Sequence, residues 1–178
     1  MGLFQRLLVA MMPKEKQRNN FIKKHKVFAS IGDDSIFVPR ILPSDPKYIK
    51  IGKNVVVAAR VTFINHDASH HVFNAKNGTQ LPFYHGCIEI GDNVFIGSNT
   101  TILPNVFIHD NTFIAAGTVV TKDLESGFVW AGVPAKKIGL FDDLIKKREA
   151  IGQQMGDYND QKCWESFYKT RERQENDL

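Results

Sequence analysis

The hydrophobic positions of this chain keep a period of six. Ile90, Ile96, Ile102, Ile108, Ile114 and Val120 follow one another at that interval without a miss. Four residues after each stand Val94, Thr100, Val106, Thr112, Thr118 and Leu124, mostly small or β-branched. Gly91, Gly97 and Ala115 directly follow three of the aliphatics, and Gly-Asp-Asn, Pro-Asn and Ala-Gly steps supply turn chemistry in between. A period of six suits neither an amphipathic helix nor a simple alternating strand. It predicts an all-β solenoid: short parallel strands joined by turns, one aliphatic per strand pointing inward, each coil buried only against its neighbours. The same frame runs upstream through Ile51, Val57 and Phe63, and more faintly through Ile31 and Phe37. Two hexads in 31–42, three in 51–68 and six in 90–125 make eleven, nearly four coils at three hexads each.

The frame breaks twice. About eight extra residues around Pro43-Ser44-Asp45-Pro46-Lys47-Tyr48 separate Phe37 from Ile51. Between Phe63 and Ile90 lie 27 positions where six would do, so a long loop, about 69–86, leaves the coil. A loop of that length inside a compact domain usually carries function. Outside the hexads, 1–30 reads as a helical arm with Leu3, Phe4, Leu7, Leu8, Met11 and Met12 as its apolar stripe. Residues 139–178 read as a helical cap on the solenoid. Phe141, Leu144, Ile145, Ile151, Met155 and Tyr158 share one side, and Trp164, Phe167 and Tyr168 cluster beyond Gly156 and Asp157. The expected organisation is an arm over 1–30, a repeat domain over 31–138 and a cap over 139–178.

Composition narrows the class. At 178 residues, 43% hydrophobic and 24% charged, the chain is one soluble globular domain with its terminal helices. Cys87 and Cys163 form no CxxC pair, which suits reduced thiols of a cytoplasmic protein. The apolar run Leu7 to Met12 is too short to span a bilayer. The net charge of +4 is uneven. Residues 1–30 hold seven Lys/Arg against Glu15 alone, a local +6, so the remainder sums to −2. A near-neutral body therefore carries a basic arm, which either turns a solvated face to water or touches a polyanion or anionic lipid, the latter as weak contact at the inner membrane face. The charge pattern does not ask for nucleic acid. His66, His70, His71 and His85 flank the loop without any recognised ligand spacing, so no metal is expected.

Three segments carry a family resemblance: Ile-Gly-Asp-Asn-Val-Phe-Ile-Gly-Ser (90–98), Ala-Ala-Gly-Thr-Val-Val-Thr-Lys-Asp (115–123) and Ala-Gly-Val-Pro-Ala-Lys-Lys-Ile (131–138). Together they make residues 31–138 resemble the bacterial hexapeptide-repeat acyltransferases. Phe-Ile-Asn-His-Asp (63–67) before a loop is similar to the branch that O-acetylates capsular and other bacterial polysaccharides, with maltose and galactoside acetyltransferases as cousins. The resemblance implies a left-handed parallel β-helix, a homotrimer with active sites between subunits, acetyl-coenzyme A as co-substrate and a saccharide acceptor. It implies His66 as the catalytic histidine. Phe95 and Ser98 match positions lining the pantetheine arm, where Trp is more frequent than Phe, and Ala116 matches one that meets the arm through its backbone. Thr121, Lys122 and Lys136 match positions near the adenosine phosphates; Arg often stands in place of Lys136, and Lys would forgo its bidentate contact. Asp45 resembles an acidic position of the polysaccharide branch, with a turn role as the alternative.

The chemistry asks for few groups. A thioester is already activated, but an alcohol needs a base to take its proton as the oxygen attacks, and histidine suits that work. The resulting oxyanion needs a donor such as a backbone N–H. Asp67 either orients the His66 imidazole or makes a turn contact, since neighbours on a strand face opposite sides. Asn65, Tyr84 and His85 are candidate sugar contacts by location, with loop packing as the alternative for each. Three readings stay open: O-acetylation of a saccharide; N-acetylation of an amino sugar or antibiotic, which would want carboxylates such as Asp67 and Asp45 near His66; and a zinc lyase of the γ-carbonic-anhydrase type, which needs three histidines with their own spacing.

Overall fold

The computed structural model describes residues 3–155 and 159–176. Gly156, Asp157 and Tyr158, and the side chains of Leu3 and Met155, lie outside the described residues. The chain divides into two compact units, Met1–Phe141 and Asp142–Leu178.

In the first unit the hexads become short strands in three parallel sheets, visited in rotation. The first face holds Ser30–Ile31, Ile49–Ile51, Ile88–Ile90 and Val106–Ile108. The second holds Ile36–Phe37, Val55–Val57, Val94–Ile96, Thr112–Ile114 and Phe128–Ala131. The third holds Thr62–Phe63, Thr101–Ile102 and Val119–Val120. Ile90 pairs with Ile108, Ile96 with Ile114 and Ile102 with Val120, so an unbroken turn advances by three hexads. All six of these residues are at most 2% exposed, as the sequence pattern predicts. Burying each contributes roughly 1.5–3 kcal/mol before chain entropy is counted.

The corners explain the rest of the hexad. Asn54, Asn93 and Asn111 occupy successive corners at φ of 52°, 57° and 52°, a left-handed conformation that Asn tolerates better than most residues. Nδ2 of Asn54 donates to Oδ1 of Asn93 at 2.9 Å, and Asn93 donates likewise to Asn111 at 3.1 Å. Thr100, Thr112 and Thr118 are fully buried, and each hydroxyl donates to the carbonyl three residues back at 2.7 Å. A buried hydroxyl thus finds its partner locally, which is why threonine alternates with valine at this position.

Upstream of the first strand lie α1 (Leu3–Met11) and α2 (Glu15–Lys24). They are part of the body: Val9 and Ile22 are completely buried in its core. Phe4, Leu7 and Met11 on α1 remain exposed. Two of the seven basic residues of this segment also face inward. Arg6 donates to the carbonyls of Leu42, Pro43 and Ser44, and Arg18 is buried.

The two breaks differ in kind. Ile31 pairs with Ile51, so the register there advances only two positions beyond a full turn. The first insertion therefore takes the place of the third-face strand of the first coil instead of lengthening that coil. Pro39, Pro43 and Pro46 have no N–H for a ladder, so this stretch packs Leu42 and Pro43 inward and continues through a 3-10 turn, Pro46–Tyr48. Ile51 pairs with Ile90, more than two full turns further along the chain, so over half of the intervening segment lies outside the coil. The expected loop over 69–86 is more ordered than its composition suggests. It contains α3 (Ser69–Asn77), stopped by Gly78 at φ 65° whose N–H donates to the Asn74 carbonyl.

Past the hexads, Phe128–Ala131 pairs antiparallel with Lys136–Leu140. The second unit is helical, as expected, in α4 (Phe141–Met155) and α5 (Asp160–Asn176), and on α5 Trp164 stacks against Tyr168 with ring centres 6.1 Å apart.

Coil stacking is tight where the glycines stand. A Cβ on Gly97 would lie 2.4 Å from the backbone nitrogen of Ala116, whereas one on Gly139 would meet nothing within 4 Å. Gly97→Ala should therefore destabilise the protein by about 1–3 kcal/mol, and Gly139→Ala by no more than about 0.5 kcal/mol. Chemical denaturation of both variants checks this; equal stabilities would contradict the packing described.

Candidate functional site

The third face ends at Phe63, and the chain turns out of the coil through Ile64, whose N–H donates to Ile102 at 2.9 Å. The next residues form the neck of the long loop. His66–Asp67 pairs antiparallel with Tyr84–His85, setting His66 directly across from His85. The first insertion arrives at the same neck. Nδ2 of Asn65 donates to the Asp45 carbonyl at 2.6 Å, and the N–H of Gly86 donates to the Asn65 carbonyl at 2.8 Å. Both breaks in the repeat thus end at one place.

Nδ1 of His66 lies 3.1 Å from Oδ2 of Asp45, each side chain 30% exposed. The contact lacks hydrogen-bond geometry and is an ion pair only when the ring is protonated. A carboxylate at Nδ1 favours the tautomer that leaves Nε2 unprotonated, the arrangement a general base requires. Asp45 is therefore placed against the imidazole itself.

Asp67 has other work. Its Oδ1 accepts from the Ser69 N–H at 2.9 Å and from the Ser69 hydroxyl at 2.5 Å, the turn contact of the two alternatives, at the start of α3. These bonds hold its carboxyl below the usual carboxylate range. Asn65, a candidate sugar contact, is 1% exposed and serves instead to fasten the first insertion. Tyr84 and His85 do face open space. With Asp67, His70, Phe73 and Phe83 they line a cavity of about 510 Å³ beneath α3. Asp45, His66 and His85 each offer a ligand atom within 4.8 Å of the others, a set that the spacing of the histidines in sequence did not suggest. Two imidazoles and a carboxylate suit a divalent transition metal as well as proton transfer.

The positions matched to coenzyme binding lie elsewhere on the coil. Phe95 projects from the second face and stacks on Phe113 with ring centres 4.7 Å apart. Ser98 and Ala116 sit at the corner between the second and third faces, where the Gly117 N–H donates to the Ser98 carbonyl at 2.9 Å. Thr121 and Lys122 follow the last third-face strand and are exposed. Lys136 begins the terminal hairpin and is exposed. Its neighbour Lys137 is occupied: it pairs with Glu125 at 2.8 Å and lies 3.8 Å above the Phe128 ring. Residues assigned to one site thus occupy two corners of a single chain. His66 is at the corner between the third and first faces, and Ser98 with Ala116 at the corner before it.

Comparisons with known proteins bear on the family and the fold. The family described as bacterial transferase hexapeptide (six repeats) matches residues 87–122. Protein CapG of Staphylococcus aureus is 36% identical over 139 residues, covering 76% of each chain. Galactoside O-acetyltransferase of Escherichia coli (strain K12) is 42% identical over 103 residues, 57% of this chain. The match spans about half, 49%, of that relative's length. A solved galactoside acetyltransferase in complex with coenzyme A superposes with a TM-score of 0.62 at 30% identity, covering 80% of both chains.

The Asp67 contact has a pH signature. A carboxyl whose folded-state value is depressed stabilises the fold above its unfolded value and loses that contribution as pH falls through the folded one. Carboxyl NMR titration should place Asp67 below an ordinary aspartate. Ser69→Ala, which removes the hydroxyl bond and keeps the backbone one, should raise it part of the way toward the ordinary range; an unchanged titration in that variant would contradict the assignment.

Proposed function

The chain belongs to the bacterial hexapeptide-repeat transferases, and from that membership we propose that it moves an acetyl group from acetyl-coenzyme A to a hydroxyl of a saccharide. The reading includes a role in capsular or other surface polysaccharide synthesis, supported by the likeness of residues 63–67 to the polysaccharide O-acetylating branch. It takes the three rotating parallel sheets as a left-handed β-helix, in keeping with the superposed galactoside acetyltransferase. No helix among the described residues is long and apolar enough to cross a membrane.

One observation carries the mechanism: a partly exposed imidazole at the loop neck with a carboxylate 3.1 Å from Nδ1. Asp45 holds the ring, and Nε2 takes the proton of the acceptor hydroxyl as its oxygen attacks the thioester carbonyl. The sulfur leaves as coenzyme A after collapse of the tetrahedral oxyanion, which a backbone N–H at a coil corner stabilises. Lys122 and Lys136 serve the coenzyme phosphates as exposed point charges. Neither forms an ion pair among the described residues.

A homotrimer completes the site in this reading. The two corners described above are brought together when the His66 corner of one copy meets the Ser98 corner of the next. The outward residues support it. The second face carries the exposed Ile36 and the half-buried Val56, Phe95 and Phe113, apolar in every coil, whereas the first carries Ser30, Lys50 and Glu89 before the single aromatic Phe107. Only one of these ladders suits burial against another copy.

The zinc-lyase alternative has a specific observation to meet, the Asp45, His66 and His85 set. That set contains two histidines where the lyase needs three, so the acetyltransfer reading is preferred, and metal analysis of the purified protein separates the two.

His66→Ala should lower turnover by about a hundredfold to ten-thousandfold with little change in donor affinity. The wild-type rate should rise with pH as the imidazole loses its proton, because only the neutral ring accepts one. A saccharide panel with acetyl-coenzyme A, read by mass shift, supplies the assay. Near-normal turnover in a folded His66→Asn protein would remove the catalytic role.

A further inference from the structure

A second cavity, of about 630 Å³, is bordered by the first insertion, where the first coil lacks its third-face strand. Its wall is made by residues 38–44 and 59–63 together with Arg18 of α2. Three arginines, Arg18, Arg40 and Arg60, line it, and no carboxylate does. That is unusual in a body whose charges nearly cancel beyond residue 30. None of the three forms an ion pair among the described residues.

Arg18 is the most telling of them. It is only 4% exposed, and a buried charge normally has a counter-charge. Its guanidinium instead donates to carbonyls: Nη1 to Met12 at 2.9 Å and Pro13 at 3.4 Å, and Nη2 to Val38 at 3.2 Å. Nε has no hydrogen-bond partner among the described residues. The carbonyls at the end of α1 offset part of the charge but leave the cavity wall positive. Arg60 spends Nε on Asn99 at 2.7 Å, leaving its terminal nitrogens for another partner. Between the arginines the lining is apolar, with the hydroxyls of Ser44 and Thr62 as the polar exceptions.

The cavity adjoins the base. Ser44 in its lining precedes Asp45, the residue against His66. Phe63 in its lining stands three residues before His66, so their Cα atoms are at most about 11 Å apart. We propose that this cavity binds an anionic group, carboxylate or phosphate, of the saccharide acceptor, so that Arg18, Arg40 and Arg60 select an acidic or phosphate-linked sugar and present its hydroxyl to His66. The proposal rests on the acetyltransfer reading for the acceptor's role but not for the existence of the anion site.

The test is calorimetric binding, without acetyl donor, of glucose 1-phosphate, glucuronic acid and glucose to the wild type and to the Arg40→Gln/Arg60→Gln protein. Both substitutions are at exposed positions, so the double variant spares the buried Arg18. At least one charged sugar should bind the wild type about tenfold more tightly than glucose. The preference should fall as salt is raised and disappear in the double variant. A preference for the phosphate ester assigns a phosphate-linked acceptor, and one for the uronate an acidic saccharide. Equal or absent binding of all three sugars, or a preference that survives in the double variant, overturns the proposal. Charged-sugar binding with no acetyl transfer to any saccharide would instead refute the acetyltransfer reading and leave the anion site standing. Equal transfer to charged and neutral sugars, unaffected by the double substitution, would do the reverse.

Discussion

The stacking of one aliphatic on another, once in every coil, is the constraint from which the rest follows. Ile90 on Ile108, Ile96 on Ile114 and Ile102 on Val120 are locked in register because each is buried. A slip of one residue would turn the column outward and leave polar corners inside. That locking dictates what stands between the aliphatics. The corners must turn within a few residues, so asparagines adopt left-handed conformations and donate to one another from coil to coil. Coils approach so closely at Gly97 that a single Cβ would strike the next turn.

A lattice this strict leaves little room for chemistry on its own strands, and function collects where it is interrupted. The first insertion replaces a strand, the second adds a loop with its own helix, and the two meet at His66. The rigid coil holds the near side of the site through Asn65, while the loop supplies Tyr84 and His85 from the far side. An imidazole placed this way is held by two independent anchors, a condition any positioned base has to meet. The arginine-lined cavity borders the same missing strand on the third face, so both candidate sites lie where the repeat is interrupted.

Much of this was legible in the sequence, for identifiable reasons. The inward positions could be read because the period repeats six times without a break, whereas His66 was singled out through the resemblance of the 63–67 motif, at the mouth of a long insertion. α3 was hidden inside a segment rich in turn residues, although Asn77-Gly78 is also a helix stop. Which carboxylate meets His66 could not be read from the sequence, for a geometric reason. Asp67 is adjacent in sequence, but it turns to Ser69, and the carboxylate that reaches the ring comes from the first insertion, a full coil upstream. Arg6 and Arg18 could be counted as basic residues of the N-terminal segment, but nothing local marks them as inward-facing. Contacts between the two insertions depend on where the coil brings their ends, which periodicity alone does not encode.

The account stands most directly on the claim that one site is assembled from the His66 corner of one copy and the Ser98 corner of another. Subunit complementation tests it. His66→Ala and Ser98→Trp chains, each inactive alone, are co-expressed, and mixed oligomers are isolated and verified by native mass spectrometry. Mixed oligomers should recover a substantial fraction of wild-type acetyl transfer, because some interfaces then pair an intact His66 corner with an intact Ser98 corner. Verified mixed oligomers that stay as inactive as either parent would show that each site lies within one chain, contrary to the account.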